Sequence, residues 1–291
     1  MSLLLATLWG GFSVGATLAL IVLGMVLIFR ATDTFNFAHG HFMLIPAYLV
    51  GKWQVENDMP FLLALTCALL VVSALSAFLY SAVLRKTVGM PLFIPVIATL
   101  GFAAILDGVI GMVFQSQLYN ISIPALPDGA FDVAGLRIGT GAVVIAGFAY
   151  GLGILVALIV QYTAVGARMR AVGQDSMLAS QGGINVRRIY LGSWIVAGVL
   201  AALGGIAYGS TNIVSPSMLD LAFLAFPALL LGGFDSIPGA LVGGLCVGMI
   251  QSATSAYIGS EYLPLTTYSL ILVVLLVRPQ GLLGTQEVTR V

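Results

Sequence analysis

The sequence predicts an all-α bundle, a polytopic membrane protein of about eight or nine segments. Three observations predict it. Of 291 residues, 60% are hydrophobic and only 8% are charged, where a soluble domain carries roughly 25% charged residues. The mean hydropathy is +1.09, more apolar surface than a globule could cover with polar groups. The apolar residues also fall into long runs, most of them near the roughly 20 residues that cross a hydrocarbon core of about 30 Å.

The predicted spans are 5–28, 35–51, 61–84, 92–114, 141–162, 190–211, 219–233, 239–258 and 264–277. The first run, Leu3 to Phe29, is too long for a signal-peptide core and no basic stretch precedes it, so it reads as a span. The break before the second holds FRATDTFNFAHGHFM, from Phe29 to Met43, the densest polar cluster among the apolar runs. A helix starting near Phe35, with Asp33 or Thr34 as its cap, would set Asn36 and His39 on one face. The fourth span carries Asp107 within GFAAILDGVIGM. The polar loop 115–138, with Asp128 and Asp132, leads to the fifth span, and the loop 163–189 joins the fifth to the sixth. The seventh and ninth segments are short, as half-helices or a re-entrant pair would be, and Asp220 opens the seventh where an acid suits the positive end of a helix.

The chain reads as one transmembrane domain over 1–291, with no soluble domain and no convincing internal repeat. GHFMLIPAYL and GGFDSIPGAL share glycine, proline and alanine in similar order and nothing more. Glycines four apart (Gly11/Gly15, Gly147/Gly151, Gly205/Gly209, Gly239/Gly243 and Gly244/Gly248) predict close helix packing. Alternating the spans gathers Arg30, Arg85, Lys86, Arg168, Arg170, Arg187, Arg188, Arg278 and Arg290 on one side and leaves Lys52 and Arg137 on the other. The first side is therefore expected to be cytoplasmic, with the N-terminus outside and the C-terminus inside.

Net charge is zero, which points to neither nucleic acid nor a strongly charged partner. Cys67 and Cys246 both lie in apolar runs and read as small buried hydrophobes. GxxxxGK[ST], HExxH and CxxC are absent, and the single GxSxG, Gly11–Gly15, lies inside the first apolar span and not at a strand-to-helix turn, so no ATP, metal or hydrolase site is expected in this chain, and no cofactor. His39 and His41, two apart, sit on different faces of a helix and do not form a metal pair. Ionisable and polar groups within spans mark pathways, which makes Asn36, His39 and Asp107 candidates; interhelical hydrogen bonding is the plainer role for the first two. For Asp33 an ion pair with nearby Arg30 is expected.

VGARMRAVGQDSMLASQGGINVRRIY is amphiphilic and charged at both ends. Its middle, Gly173 to Gly182, suits a short surface helix preceded by Arg168 and Arg170. A loop this long and patterned suggests a docking element. Transport fits the chain better than catalysis. Two rival transport readings are a gradient-driven secondary transporter, with Asp107 and His39 as coupling groups, and a passive channel for a small neutral solute such as urea. An assembly subunit without a pathway is a third.

At these residues the chain resembles the membrane permease subunits of branched-chain amino acid ABC importers, the LivH type. NFAHG at 36–40, ATLGFAAILD at 98–107, RAVGQDSMLASQGGINVRR at 170–188, FPALLLGGFDSIPGALVGG at 226–244 and RPQGLLG at 278–284 carry the match. His41, Pro46 and Asp107 depart from the family's usual residues. The resemblance implies a pathway near Asn36, Phe37, His39, Thr99 and Asp107. It implies an ATPase coupling loop through Arg168, Arg170, Gly173, Asp175, Ala179, Gly183, Asn185 and Arg188. It also implies a bacterial inner-membrane location and four kinds of neighbour: a second, LivM-like permease, two ATP-binding subunits that hydrolyse the ATP, a periplasmic substrate-binding protein and the lipid bilayer. Branched-chain amino acids are the first substrate it suggests; urea, amides and small organic acids are alternatives.

Overall fold

From Ala16 to Ala31 nearly every side chain of the first helix is buried. A helix that is apolar all round becomes the axis of a bundle if others surround it, and this one does. The computed structural model describes residues 2–284 except Gly89, Leu92, Ala125, Asp128 and Ala134. Its helices are α1 (Ser2–Thr32), α2 (His39–Asn57), α3 (Phe61–Phe78), α4 (Phe93–Phe114), α5 (Thr140–Tyr162), α6 (Ala164–Gln174), α7 (Ser176–Gln181), α8 (Val186–Thr211), α9 (Met218–Gly232), α10 (Ile237–Tyr257) and α11 (Leu263–Val277). A π turn and a 3-10 turn extend α3 to Lys86.

Seven of the described helical stretches are long and apolar enough to cross a membrane by themselves, and α9 is a shorter apolar helix. The loop 115–138 holds a hairpin that the sequence reading did not anticipate: β1 (Ala130–Val133) pairs antiparallel with β2 (Leu136–Gly139), Phe131 opposite Ile138. Arg290 and Asp128 lie outside the described residues.

Glycine sets how closely α1 is wrapped. Gly244 and Gly248 of α10 lie on Ala19 and Gly15 of α1, and a Cβ at Gly244 would fall 2.6 Å from the Ala19 nitrogen. Gly239 and Gly243 meet Gly232 and Ala228 of α9, while Gly205 of α8 meets the Met43 carbonyl of α2. Small residues allow such backbone contact. Gly147 and Gly151 depart from the expectation: a Cβ at either meets nothing within 4 Å, so that face of α5 turns away from the chain.

Two helices do not run the full depth of the bundle. The His39 ring, at the start of α2, bonds the Ile21 carbonyl of α1 at 3.1 Å. At 1.5 Å per residue, Ile21 lies about 16 Å from the Thr32 end of α1. The chain therefore leaves α1 and doubles back through residues 33–38, and α2 starts near mid-depth. The predicted span beginning at Phe35 is corrected accordingly: Asn36 and Phe37 precede the helix, Ala38 is its N-cap, and neither Asp33 nor Thr34 caps it. Asn36 and His39 do not share a helix face.

The same happens at the other end. Val214 packs on Gly209 near the end of α8 and forms an isolated bridge with Tyr119. Leu219 and Ala222, in the first turns of α9, lie against Gly40 of α2. The chain thus re-enters through 212–217, and α2 and α9 begin side by side and run to opposite ends. Packing partners exchange in the same sense. α1 lies on α10 as α8 lies on α3, α2 on α3 as α9 on α10, and α2 on α4 as α9 on α11, with α1 and α8 in mutual contact. The α1–α4 and α8–α11 units are inverted repeats about α5. The similarity between residues 40–49 and 232–241 does not correspond to it, since it matches the start of α2 with the α9–α10 turn.

The α1–α10 seam yields a prediction. Gly248→Leu overpacks backbone against backbone, which costs about 1–3 kcal/mol, and should lower the melting midpoint of the detergent-solubilised protein. Gly108→Leu, where a Cβ meets nothing within 4 Å, should leave that midpoint in place.

Candidate transport site and docking loop

Irregular backbone at membrane depth survives only where protein or a polar cavity satisfies it. Residues 33–38 meet that condition group by group. Asp33 turns the chain out of α1 in the left-handed region, φ 49°, while its N–H still donates to Phe29 O at 2.7 Å. Phe35 packs against Phe29 and Phe234, with ring centroids 4.8 and 5.2 Å away. The Asn36 Oδ1 accepts the Ala38 N–H at 3.0 Å, an Asx turn that stands in for a backbone turn. The Phe37 N–H donates to Thr99 Oγ1 on α4 at 3.3 Å, and the Thr99 hydroxyl donates to Val96 O at 2.9 Å. The Phe37 ring stacks on Phe226 of α9, centroids 5.1 Å apart.

His39 is fully buried. Its partner is a carbonyl, so Nε2 carries the proton, and the ring straps α2 to α1. Gly24 leaves room for it: a Cβ there would fall 2.9 Å from the imidazole. His41, a turn surface further on, is only 8% exposed, and its Nε2 lies 3.7 Å from Asp107 Oδ1. The Asp107 side chain is 66% exposed in the middle of an apolar helix. A carboxylate in that place faces a polar cavity or another subunit and not lipid. Asn36 Nδ2 and both ring nitrogens of His41 are buried without a hydrogen-bond partner among the described residues. Asn36, Phe37 and Thr99 thus meet before the start of α2; the His39 ring turns instead into α1, and Asp107, about 12 Å along α4 from Thr99, reaches α2 through His41. His41 links Asp107 to α2 and Phe226 stacks on Phe37; the sequence reading weighed His41 as half of a metal pair and noted it as a departure from the family's usual residues.

The docking-loop residues form a separate group at the far end of α1. The loop is two helices and not one over Gly173–Gly182: Arg168 and Arg170 lie within α6, and the break falls at Asp175. Gly166, Met169 and Val172 bury one face of α6. The Arg170 guanidinium donates to Val160 O at 2.7 Å and holds α6 to the end of α5. Gly173 sits on the Arg30 carbonyl, where a Cβ would collide. Asp175 caps α7 by accepting from the Met177 and Leu178 N–H groups, both at 2.9 Å. Ala179 is buried beneath it. Gly183, at φ 82°, closes α7 as the Ile184 N–H reaches Ala179 O at 3.0 Å, the pairing that favours glycine. Asn185 caps α8 through the Arg188 N–H at 3.1 Å. Arg168 and Arg188 point outward. The sequence reading passed over Met177 and Leu178, which stand 71% and 63% exposed on α7; two large apolar residues directly after a capping acid were the available signal.

The chain is similar to known permease proteins over nearly its whole length. The family described as branched-chain amino acid transport system, permease component, matches residues 7–278. The chain is 28% identical to the high-affinity branched-chain amino acid transport system permease protein LivH of Salmonella typhimurium, covering 99% of this chain and 97% of that one. It is 29% identical to the corresponding protein BraD of Pseudomonas aeruginosa, over 99% and 98%. Among solved structures, PsaBC from Streptococcus pneumoniae in complex with Fab is similar in fold, with TM-score 0.51, 12% identity and coverage of 96% and 93%.

The Thr99 hydroxyl is the anchor of the non-helical stretch on α4. Thr99→Val leaves the Phe37 N–H buried and unpaired at a cost of about 1–3 kcal/mol, and a fall in the melting midpoint should report it. Thr99→Ser keeps the acceptor and should restore most of the loss.

Proposed function

The chain belongs to the family of permease components of branched-chain amino acid transport systems, and from that premise we propose that it forms half of the pore of an ABC importer for branched-chain amino acids. It is a multi-pass membrane protein built from apolar helices. The observation that carries the reading is the meeting of α2 and α9 at mid-depth, beside Asp107 and the unpaired groups of Asn36 and His41. Inverted-repeat transporters bind substrate at such a junction of discontinuous helices. A zwitterion with an aliphatic side chain suits a passage of few charges flanked by Phe37 and Phe226. It must also leave again, which a cluster of fixed charges would prevent.

The other half of the pore is a second, LivM-like permease. The open face of α4 supports this: Ile97, Ile105 and Met112 stand exposed there beside Asp107, and Gly101, Gly108 and Gly111 carry nothing within 4 Å. On this reading the α6–α7 end lies in the bacterial cytoplasm and the β1–β2 hairpin outside, where a periplasmic binding protein delivers substrate; the excess of basic residues at the α6–α7 end supports it. ATP is hydrolysed on two partner subunits that grip α6 and α7. Asp175, Gly183 and Asn185 give that element its two caps and its stop, and Met177 and Leu178 are its exposed anchors.

The complete importer in proteoliposomes, with ATP in the lumen and the binding protein outside, tests the reading. Uptake of leucine that requires every subunit is expected. Flux by this chain alone would instead make it a channel, and uptake driven by a proton gradient without ATP a secondary transporter. Met177→Asp with Leu178→Asp should remove the docking anchors, each worth about 2 kcal/mol or more in a buried interface. Uptake and leucine-stimulated ATP hydrolysis should both collapse while the melting midpoint holds. At Asp107, polarity should count and charge should not: Asp107→Asn should retain uptake, and Asp107→Leu should reduce the initial rate by at least about tenfold.

A further inference from the structure

A cavity of about 600 Å³ with a charged lining lies at the α6–α7 end, away from the junction of α2 and α9. It is lined by Phe29, Arg30 and Asp33 where the chain leaves α1, by Arg170, Gly173 and Gln174 of α6, by Phe234 and Asp235 of the α9–α10 turn, and by Pro279 and Gln280 after α11. Arg30 is about 14 Å along α1 from Ile21, the residue level with His39. The Phe29, Phe35 and Phe234 rings, in mutual contact, stand between the cavity and the mid-depth segment. Asp33, Gly173, Gln174, Pro279 and Gln280 are exposed at its rim, so solutes at that end can reach it.

The lining has a particular chemistry. Two arginines and two aspartates line one space, beside two phenylalanines; Arg170 Nη1 already donates to the Val160 and Gln161 carbonyls, and Arg30 feels the charges of both Arg170 and Asp235. The charges balance, which disfavours a multiply charged anion such as a nucleotide or phosphate. Two arginines sharing one cavity favour a carboxylate between them, the acids favour an ammonium, and the rings favour an aliphatic body. The volume falls within the range of small-molecule sites. We propose that this cavity is a second amino-acid site, distinct from the transport path, and that a free α-amino acid on the cytoplasmic side binds there and slows the importer.

The place explains the effect. The cavity is bounded by every element that must shift when α6 and α7 transmit a movement. Gly173 of α6 rests on the Arg30 carbonyl, and Leu282 and Leu283 donate to the carbonyls of Leu231 and Gly232 at 2.7 and 3.1 Å, clamping the segment after α11 to the end of α9. A ligand bridging Arg30, Arg170 and the acids ties α1, α6 and the α9–α10 turn together. It stabilises one arrangement of that joint over the other, which is what inhibition by a bound ligand requires. The inference rests on the importer reading, and the two can fail separately.

The test uses the complete importer in proteoliposomes with luminal ATP, with and without luminal leucine. Uptake into leucine-free vesicles tests the importer reading alone. Luminal leucine should reduce the initial rate at least about fivefold, the lower end of ordinary coupling between sites. Arg30→Gln and Asp33→Asn should each bring the ratio of uptake without luminal leucine to uptake with it close to one, whatever the leucine-free rate of the variant. Asparagine tolerates the left-handed conformation at 33, so the second variant remains informative if the first folds poorly. Binding of labelled leucine to the purified complex without its binding protein should fall in both variants. An importer insensitive to luminal leucine, or variants inhibited as strongly as the parent, would overturn the proposal. So would loss of the ATPase subunits from either variant on gel filtration, which would give the cavity to a side chain of the ATPase.

Discussion

Everything distinctive in this structure depends on one requirement: a peptide group inside a membrane must be hydrogen-bonded by protein. The requirement usually produces unbroken helices. Here it is met twice by other means, in residues 33–38 and 212–217. In the first stretch the Asn36 side chain, the Thr99 hydroxyl and the Phe29 carbonyl take up backbone N–H groups at Ala38, Phe37 and Asp33. In the second, Val214 and Tyr119 exchange backbone bonds of 2.9 and 3.2 Å. Once those groups are satisfied, two helices are free to begin in the middle of the bundle. Their first turns then face each other where a long helix would have run past.

That geometry needs close packing to hold it. The seams between α1 and α10 and between α9 and α10 are backbone against backbone, through glycine. Interiors this dense have discrete arrangements and do not deform continuously. A displacement of α6 is therefore not absorbed locally. It bears on the Arg30 carbonyl, and α1 carries the His39 strap at Ile21. The line from the docking helices to the junction of α2 and α9 thus runs along one buried helix. On the proposed reading, this is how work done on partner subunits reaches the path.

Much of this was legible in the residues, and the rest was hidden for definite reasons. Span positions follow from apolar runs, and most of the predicted segments track the helices closely; the second, 35–51, is displaced to His39–Asn57. The polar cluster at 29–43 marked the site. Its conformation was misread because a Thr or Asp beside an apolar run usually caps a helix, and a distant hydroxyl on α4 decided otherwise. Asn36 looks like a helix-face residue until the Asx turn claims its side chain. The docking loop announced itself by its arginines and glycines, yet the break at Asp175 was missed, although an acid two and three residues before Met177 and Leu178 is a capping pattern. The inverted repeat left no trace in the order of residues, since a fold repeat is kept by packing volumes and depth rather than by identity at each position.

The sparing use of charge follows from the same physics. Asp107 lies in the middle of a predicted span, while Asp220 only opens one, and His41 at 3.7 Å is the group placed to moderate it. A second fixed charge on this chain would deepen binding of a zwitterion at mid-depth and slow its release. On the proposed reading, the exposed face of α4 leaves the remaining contacts to the second permease, and selectivity at the junction is then a property of two chains. The charges that this chain does carry in number are kept at the α6–α7 end, where Arg30, Asp33, Arg170 and Asp235 line the proposed second site away from the path. Separating the two regions by the Phe29, Phe35 and Phe234 rings lets one end of α1 bind tightly and the other loosely.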